Sequence, residues 1–248
     1  MSKTILITGA SRGIGRATAL LAAERGWSVG VNYVGNQAAA GEVVALVKSR
    51  GANAVSLQGD VAQERDVLAV FDGCQQALGQ LDGVVVNAGI VASPATLMDM
   101  SAERLRRMFE VNSVGAYLCA REAARRMAVS RGGKGGSIVL VSSVAARLGS
   151  PFEYVDYAGS KAAVDTLAIG LSKELGQEGV RVNSIRPGVT VTDIHASGGQ
   201  PDRAHRVGAG TPMGRPGEAN EIAEAIIWLL SDAASYTSGA VLDVAGGR

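Results

Sequence analysis

Short runs of aliphatic and β-branched residues alternate along this chain with longer segments in which apolar residues recur at helical spacing. Strands of a parallel sheet are buried on both faces, so they appear in a sequence as nearly continuous apolar runs. Seven such runs occur, at 4–7, 29–31, 54–57, 84–86, 138–141, 180–182 and 240–242. The helical segments between them lie at about 13–25, 36–50, 63–78, 101–129, 157–177 and 218–231. The alternation predicts an α/β fold, a doubly wound seven-stranded parallel sheet with helices on both faces.

The composition allows a large core and argues against several classes of protein. Of the 248 residues, 47% are hydrophobic and 19% are charged, so disorder is not expected. The net charge of +1 provides no basic surface for nucleic acid, and no apolar run approaches the ~20 residues of a membrane helix. Two cysteines make no disulfide framework, and the strand pattern begins at once, without a signal peptide. We therefore expect a cytoplasmic protein with no nucleic-acid or membrane partner.

A glycine-rich turn joins the first strand to the first helix, with the sequence Thr8-Gly9-Ala10-Ser11-Arg12-Gly13-Ile14-Gly15. Glycines let the backbone approach a pyrophosphate closely, and the helix N-terminus supplies free N–H groups and a positive dipole end. The spacing G-x-x-x-G-x-G is neither the commoner G-x-G-x-x-G nor a Walker A loop. Its place in the first β-α unit nevertheless predicts a Rossmann-type dinucleotide site. The predicted contacts from this turn are Gly9, Ser11, Arg12, Gly13, Ile14 and Gly15.

The end of the second strand bears on which dinucleotide binds. An acidic residue there would bond the ribose 2′-hydroxyl of NAD, but the strand ends Val31-Asn32-Tyr33-Val34. Arg12 inside the glycine turn would attract a 2′-phosphate. We therefore predict NADP(H) as the favoured cofactor. NAD(H) is the alternative, in which Asn32 and Tyr33 contact the ribose.

Tyr157 and Lys161 stand four residues apart in a helical segment and so share one face of the helix. Free tyrosine has a pKa near ~10. A nearby ammonium and an oxidised nicotinamide would favour the phenolate and lower that pKa. The pair therefore predicts a general acid/base that exchanges a proton with a carbonyl or alcohol oxygen.

Two further polar residues accompany this pair. Ser143 closes the fifth strand, at the edge where open α/β sheets bind ligands, and its hydroxyl could hold a substrate oxygen beside Tyr157. Asn112 lies inside the long helical segment 101–129, although asparagine is a poor helix former. We expect Asn112 either to hold a water molecule or to break the helix locally.

The ordered set of segments resembles the short-chain dehydrogenase/reductase family in its single-domain form of ~250 residues. The resemblance covers nearly the whole chain and is specific because many short motifs match in order. They are the Thr8–Gly15 turn, Gly59-Asp60-Val61, Asn87-Ala88-Gly89, Asn112, Ser143, Tyr157-x-x-x-Lys161, Arg186-Pro187-Gly188 and Thr192. The family implies hydride transfer between a nicotinamide and a carbonyl or alcohol carbon. It also implies that residues 1–248 form one dinucleotide-binding catalytic domain, in which the Gly- and Pro-rich segment 188–217 is the substrate loop.

The resemblance assigns roles by position. Asp60 and Val61 would contact the adenine, and Lys161 would bond the nicotinamide ribose and assist Tyr157. Asn112 would anchor a water that relays protons from Lys161 to solvent. The remaining cofactor contacts would be Asn87, Ala88 and Gly89 under the adenosine ribose, and Pro187, Gly188 and Thr192 at the nicotinamide. By analogy with the family's dimers and tetramers, the segments 101–129 and 157–177 would pair subunits, and we expect a homotetramer.

The sequence departs from the family pattern at two places. Val86 stands where the family often has a first Asn before Asn-Ala-Gly, and the Ser143–Tyr157 spacing is one residue longer than usual. The extra residue falls in the segment 147–154, which is expected to line the substrate pocket. The expected substrate contacts are Ser143, Phe152, Tyr154 and Val189, with Ile90 and Val144 as further pocket wall.

The substrate is a small-molecule carbonyl or alcohol whose identity the sequence leaves open. Several segments are similar to sugar (glucose-type) dehydrogenases and to 3-oxoacyl-carrier-protein reductases. An acidic carrier would need a basic rim, for which Arg125 and Lys173 are candidates. A non-catalytic dinucleotide-sensing protein is the alternative from another class. His195 and His205 are interpreted as solvent-facing loop residues, and no metal site is expected.

Overall fold

The computed structural model describes residues 3–248 of this protein. Seven parallel strands form its central sheet, in the order β3-β2-β1-β4-β5-β6-β7. The strands are β1 (Thr4–Ile7), β2 (Ser28–Tyr33), β3 (Ala54–Gln58), β4 (Gly83–Val86), β5 (Gly136–Val141), β6 (Val180–Pro187) and β7 (Val241–Val244). The predicted Rossmann-type sheet is therefore confirmed, and the strand order reverses between β1 and β4.

Helices cover both faces of the sheet. The helices are α1 (Gly13–Glu24), α2 (Gln37–Ser49), α3 (Glu64–Leu78), α4 (Ala102–Phe109), α5 (Gly115–Met127), α6 (Ala145–Leu148), α7 (Val155–Leu175), α8 (Ile194–Ser197), α9 (Arg203–Gly208) and α10 (Ala219–Leu230). Helices α1, α2 and α10 bury their apolar residues on one face, while α3, α5 and α7 pack on the other. Successive strand residues feed the two cores in turn, since Ile5 and Ile7 belong to the first and Leu6 to the second.

The predicted helix at 101–129 is interrupted. A π-helical turn, Glu110–Val114, separates α4 from α5, and Asn112 lies at its centre with its side chain fully buried. Local widening of this kind frequently marks a functional site in a helix. The local break in the helix that was expected at Asn112 is present.

The segment 188–217 also differs from a plain loop. It contains α8 and α9, and its ends pair through two short parallel strands, Thr190–Val191 and Gly217–Glu218. The pairing holds the segment over the carboxyl ends of β5 and β6. Glycine and proline content suggested an irregular loop because short helices of four to six residues leave little periodic signal.

The structure also shows the surroundings of the two cysteines and of Trp228. Cys74 and Cys119 are buried and unpaired, and burial raises the pKa of each thiol to about 12. Trp228 is a residue of α10, and 41% of its surface is exposed. None of the helices in residues 3–248 combines the length and the apolar character that crossing a bilayer requires.

Candidate active site

A deep cleft opens at the carboxyl ends of the strands, where the order of the sheet reverses. It is bordered by the turns that follow β1, β2, β4, β5 and β6, and by the segment 188–217. Its volume of about 1370 Å³ exceeds the roughly 300–1,000 Å³ of a typical small-ligand pocket. The cleft can therefore hold an extended ligand together with a second, smaller one.

The glycine turn forms one wall of the cleft because side chains are excluded there. Gly9 and Gly13 have φ angles of +64° and +55°, which L-residues rarely adopt. A Cβ atom on Gly15 would lie 2.5 Å from the carbonyl oxygen of Gly9. Backbone N–H groups and the N-terminus of α1 are thereby left open to the cleft, together with Ser11, Arg12 and Ile14. This arrangement fits the pyrophosphate of a dinucleotide.

Hydrogen bonds fix the position of the glycine turn against β4. The Oγ1 atom of Thr8 accepts bonds from the backbone N–H groups of Asn87 (2.9 Å) and Ala88 (3.0 Å). In return, the amide of Asn87 donates to the carbonyls of Thr8 and Gly9. Asn87, Ala88 and Gly89 all border the cleft, and Asn87 also braces its wall.

Asn32 does not border the cleft, although the sequence offered it as a contact to the ribose. Its side chain is buried and bonds to the N–H of Gly9 and to the carbonyls of Leu57 and Gly59, so it faces away from the cleft. Asparagine at this point holds the turns after β1 and β3 together, which explains its place without a ligand contact. Tyr33, by contrast, borders the cleft.

The end of the cleft beside α1 and α2 is rich in arginine. Arg12 is exposed there and donates from Nη1 to Ser197 Oγ at 3.1 Å, while Arg16 lies 3.5 Å from Glu42. Asp60 and Val61 border the same region, and Asp60 pairs with Arg107 at 3.1 Å. Arg16, Glu42 and Arg107 were not expected from the sequence, since helix surfaces carry such residues routinely.

Tyr157, Ser143 and Lys161 meet at the inner end of the cleft. Tyr157 and Lys161 project from α7, and the Lys161 Nζ lies 5.9 Å from the centre of the Tyr157 ring. Ser143 follows β5 and hydrogen-bonds Tyr157. Lys161 is buried, and its Nζ donates to the carbonyl of Val141 at 2.8 Å.

The protonation of these groups is governed by burial. Burial raises the pKa of Tyr157 above its usual value, while the bond with Ser143 and the charge of Arg203 oppose that rise. A lowered value was expected from Lys161 and an oxidised nicotinamide, but burial of the phenol acts in the opposite direction. Burial also lowers the pKa of Lys161 to about 8, against the opposing effect of Asp165.

Asn112 connects the π-helical turn to this group. Its Oδ1 accepts from the N–H of Ile90 at 2.8 Å, and its Nδ2 donates to the carbonyl of Ile90 and to Ser160 Oγ. A Cβ atom on Gly89 would lie 3.3 Å from both Asn112 Oδ1 and Lys161 Nζ. Asn112 therefore supports the floor of the cleft directly below Lys161.

The backbone after β6 supplies the opposite wall. Pro187, Gly188, Val189 and Thr192 all border the cleft. The N–H of Gly188 donates to the carbonyl of Val244 at 2.9 Å, and a Cβ atom there would lie 2.7 Å from Cα of Ala245. Glycine is thus required for the close packing of this wall.

Three of the four expected substrate contacts border the cleft, and the fourth does not. Ser143, Tyr154 and Val189 border the cleft, together with Ile90 and Val144. Phe152 does not, because its φ of +66° turns the side chain outward and leaves it 81% exposed.

Several charged residues and histidines lie elsewhere than the sequence predicted. Arg125 and Lys173 do not border the cleft, whereas His195, His205 and Arg203 do. His195 is half-buried and bonds the carbonyl of Thr190 at 2.9 Å, so it is not the solvent-facing residue expected. No sequence signal singled out Arg203, because its setting depends on how α9 folds over the cleft. Within residues 3–248, no three His, Cys, Asp or Glu side chains gather as metal ligands.

This fold and cleft define a dinucleotide-binding α/β protein, and comparison with known proteins gives its family. A family model described as enoyl-(acyl carrier protein) reductase matches residues 9–248. The chain is 53% identical to the uncharacterized oxidoreductase YgfF of Escherichia coli, over 98% of each chain. It is 39% identical to the L-rhamnose 1-dehydrogenase (NAD(P)(+)) of a Sphingomonas species, over 99% of this chain and 95% of the relative. The crystal structure of levodione reductase superposes with a TM-score of 0.91, at 30% identity, over 99% of this chain and 96% of the other.

The chain belongs to the short-chain dehydrogenase/reductase family. It is an oxidoreductase that transfers hydride with a nicotinamide dinucleotide, NAD(P)(H), as its cofactor. Both the predicted family and the predicted reaction type are confirmed.

Proposed function

We propose that this protein interconverts a small-molecule carbonyl and its secondary alcohol with NADP(H), using Tyr157 as the general acid/base. The observation that supports this proposal is the meeting of Tyr157, Ser143 and Lys161 in the same cleft as the glycine turn. A phenol can exchange a proton with a substrate oxygen only where it is held within reach of that oxygen.

Each polar group has a distinct task in the proposed reaction. Tyr157 would donate its phenol proton to a carbonyl oxygen, and burial raises the pKa of that phenol. The Ser143 hydroxyl bonds the same oxygen and holds it beside Tyr157. Lys161 supplies a positive charge near the phenol, and Asn112 holds the backbone below Lys161.

The cofactor contacts follow from the walls of the cleft. The pyrophosphate would lie against Gly9, Ser11, Gly13, Ile14 and Gly15, and the adenosine against Tyr33, Asp60, Val61, Asn87, Ala88 and Gly89. The nicotinamide end would lie against Lys161, Pro187, Gly188 and Thr192. When bound, the dinucleotide supplies or accepts the hydride.

The preference for NADP(H) rests on charge. In the cleft, β2 ends at Tyr33 and is followed by Val34 and Gly35, so no carboxylate at the end of this strand would repel a 2′-phosphate. Arg12 and Arg16 border the cleft on the side of α1 and are positioned to attract one. NAD(H) is the alternative, because Glu42 borders the same region.

Of the two substrate classes that the sequence left open, we propose the sugar type. Arg125 and Lys173, the candidates for a rim that receives an acidic carrier, do not border the cleft. A relative that shares 39% of its residues with this chain is an L-rhamnose 1-dehydrogenase by name.

We further propose that residues 1–248 act as one catalytic domain, with 188–217 as the substrate loop, in a cytoplasmic homotetramer. The two unpaired, buried cysteines suit a reducing compartment. Exposed apolar side chains on α4, α5, α7 and the π-helical turn support subunit pairing through those elements. They are Phe109, Val114, Tyr117 and Ile169.

Substitution of Tyr157 tests the proposed chemistry. In Tyr157→Phe, turnover should fall by about 10²- to 10⁴-fold, while NADPH binding followed by nicotinamide fluorescence should be retained. Tyr236→Phe is the matched control, because Tyr236 is fully exposed and lies outside the cleft. Full turnover in Tyr157→Phe would refute the role of Tyr157, and a wild-type protein that binds cofactor without turnover would favour the sensing alternative.

A further inference from the structure

Arg203 stands out among the residues of the cleft that the proposed chemistry does not use. It is the first residue of α9 and borders the cleft, although only 15% of its side chain is exposed. Its Cζ lies 5.1 Å from the centre of the Tyr154 ring. Tyr154, Tyr157 and His195 border the same cleft as Arg203.

The hydrogen bonding of this guanidinium is incomplete. Nη2 donates to Glu153 Oε2 at 2.7 Å, but Nη1 has no hydrogen bond within the described part of the chain. The Nε atom is buried and also lacks a partner there. An arginine offers five N–H donors, and donors left unpaired in a largely buried side chain are costly. A ligand in the cleft that supplies oxygen acceptors would pair Nη1, which, unlike Nε, is not fully buried.

The charge around Arg203 favours a neutral acceptor. The Glu153 carboxylate already balances the guanidinium, so a substrate carboxylate would leave an excess negative charge in a largely buried place. Hydroxyl oxygens accept hydrogen bonds without adding charge. Ser150, Tyr154, His195 and His205 also border the cleft and add further polar atoms suited to hydroxyl groups.

We propose that Arg203 is a specificity-determining residue that binds hydroxyl groups of a neutral, polyhydroxylated substrate at a distance from the reacting carbon. This inference rests on the proposed function and adds the substrate subsite to it. Glu153 holds the guanidinium in place and sets its net charge. Tyr154, whose Oη accepts from Gln200 Nε2 at 2.7 Å, provides the flat surface on which the guanidinium lies.

The test compares two series of substrates in the holoenzyme with Arg203→Met. The first series consists of neutral aldoses and the second of ketones and aldehydes without hydroxyl groups. We expect kcat/KM for the aldoses to fall by about 10- to 100-fold, mainly through KM, and kcat/KM for the hydroxyl-free series to change by less than about threefold. Arg131→Met is the control, since Arg131 is exposed and lies outside the cleft, and it should change neither series.

Glu153→Gln provides a second arm that does not depend on loss of activity. Removal of its charge should raise kcat/KM for uronates relative to aldoses by about 5- to 10-fold, because the guanidinium is then uncompensated.

An equal loss for both series in Arg203→Met, no loss in either, or a wild-type preference for uronates over aldoses would overturn the inference. Turnover of hydroxyl-free substrates alone would also overturn it and would leave the proposed function intact. Failure to turn over any series with cofactor bound would instead refute the proposed function.

Discussion

At the scale of single residues, burial decides the chemistry of the candidate site more than sequence spacing does. The four-residue step from Tyr157 to Lys161 predicted a phenol assisted by an ammonium. In the fold, both groups are desolvated, so the pKa of Tyr157 is raised and that of Lys161 is lowered to about 8. Desolvation disfavours the charged form of either group, which moves an acid and a base in opposite directions.

The pKa shift of Tyr157 predicts different pH profiles for the two directions of reaction. Carbonyl reduction uses the protonated phenol, so its rate should hold through neutral pH and fall only in the alkaline range. Alcohol oxidation uses the phenolate, so its rate should rise with pH and should still be rising at about pH 10, the ordinary pKa of a phenol. Initial rates at saturating cofactor in both directions measure this difference. An oxidation rate that is independent of pH over that range would contradict a raised pKa for Tyr157.

Arg12 carries the prediction about cofactor choice. In Arg12→Ala, the affinity for NADPH should fall by about 10- to 100-fold relative to NADH, because a charge-assisted bond to the 2′-phosphate is lost. Fluorescence titration with each nucleotide measures the ratio. Arg25→Ala is the control, since Arg25 follows the other end of α1 and pairs with Glu224 on the surface. An unchanged ratio in Arg12→Ala would exclude Arg12 as the phosphate contact.

At the scale of elements, the turn between β1 and α1 couples binding to stability. In Gly15→Ala, the new Cβ atom would meet the Gly9 oxygen at 2.5 Å and Asn87 Nδ2 at 2.7 Å. The turn must then move, and we expect a loss of about 1–3 kcal/mol in the free energy of unfolding together with weaker cofactor binding. Urea denaturation and nucleotide titration give the two quantities.

Gly41→Ala is the matched control for this prediction. Gly41 lies in α2, and a Cβ atom there would meet no atom within 4 Å. Alanine is the better helix former, so the free energy of unfolding should rise by about 0.5–1 kcal/mol. Equal effects of the two substitutions would contradict the steric account of Gly15.

At the scale of the whole molecule, the exposed apolar residues of α5 and α7 predict the oligomeric state. Wild-type protein should have the mass of a tetramer by light scattering. Tyr117→Arg should lower that mass, since a charge buried in an apolar interface is costly. Val129→Arg is the control, because Val129 is also exposed but follows α5 rather than lying on it. A monomeric wild-type protein would exclude the proposed assembly.

The sequence by itself determined the succession of strands and helices along the chain and the motifs that carry the chemistry. Those properties are local, because apolar runs and glycine spacing follow from a few neighbouring residues. Strand boundaries shifted by a few residues, most at β6, which extends to Pro187. The prediction of one long helix at 101–129 was wrong in one respect, because the periodicity of the sequence did not reveal the π-helical turn that buries Asn112.

The tertiary structure alone decided which residues face the cleft. Asn32 and Phe152 had positions that suited ligand contact, yet one is buried among backbone groups and the other is turned to solvent. Arg203 and His195 had no distinguishing neighbours in sequence, yet the folding of 188–217 brings them to the cleft that Tyr157 borders. Orientation and burial depend on contacts between segments far apart in the chain. Neighbouring residues in sequence therefore cannot specify them.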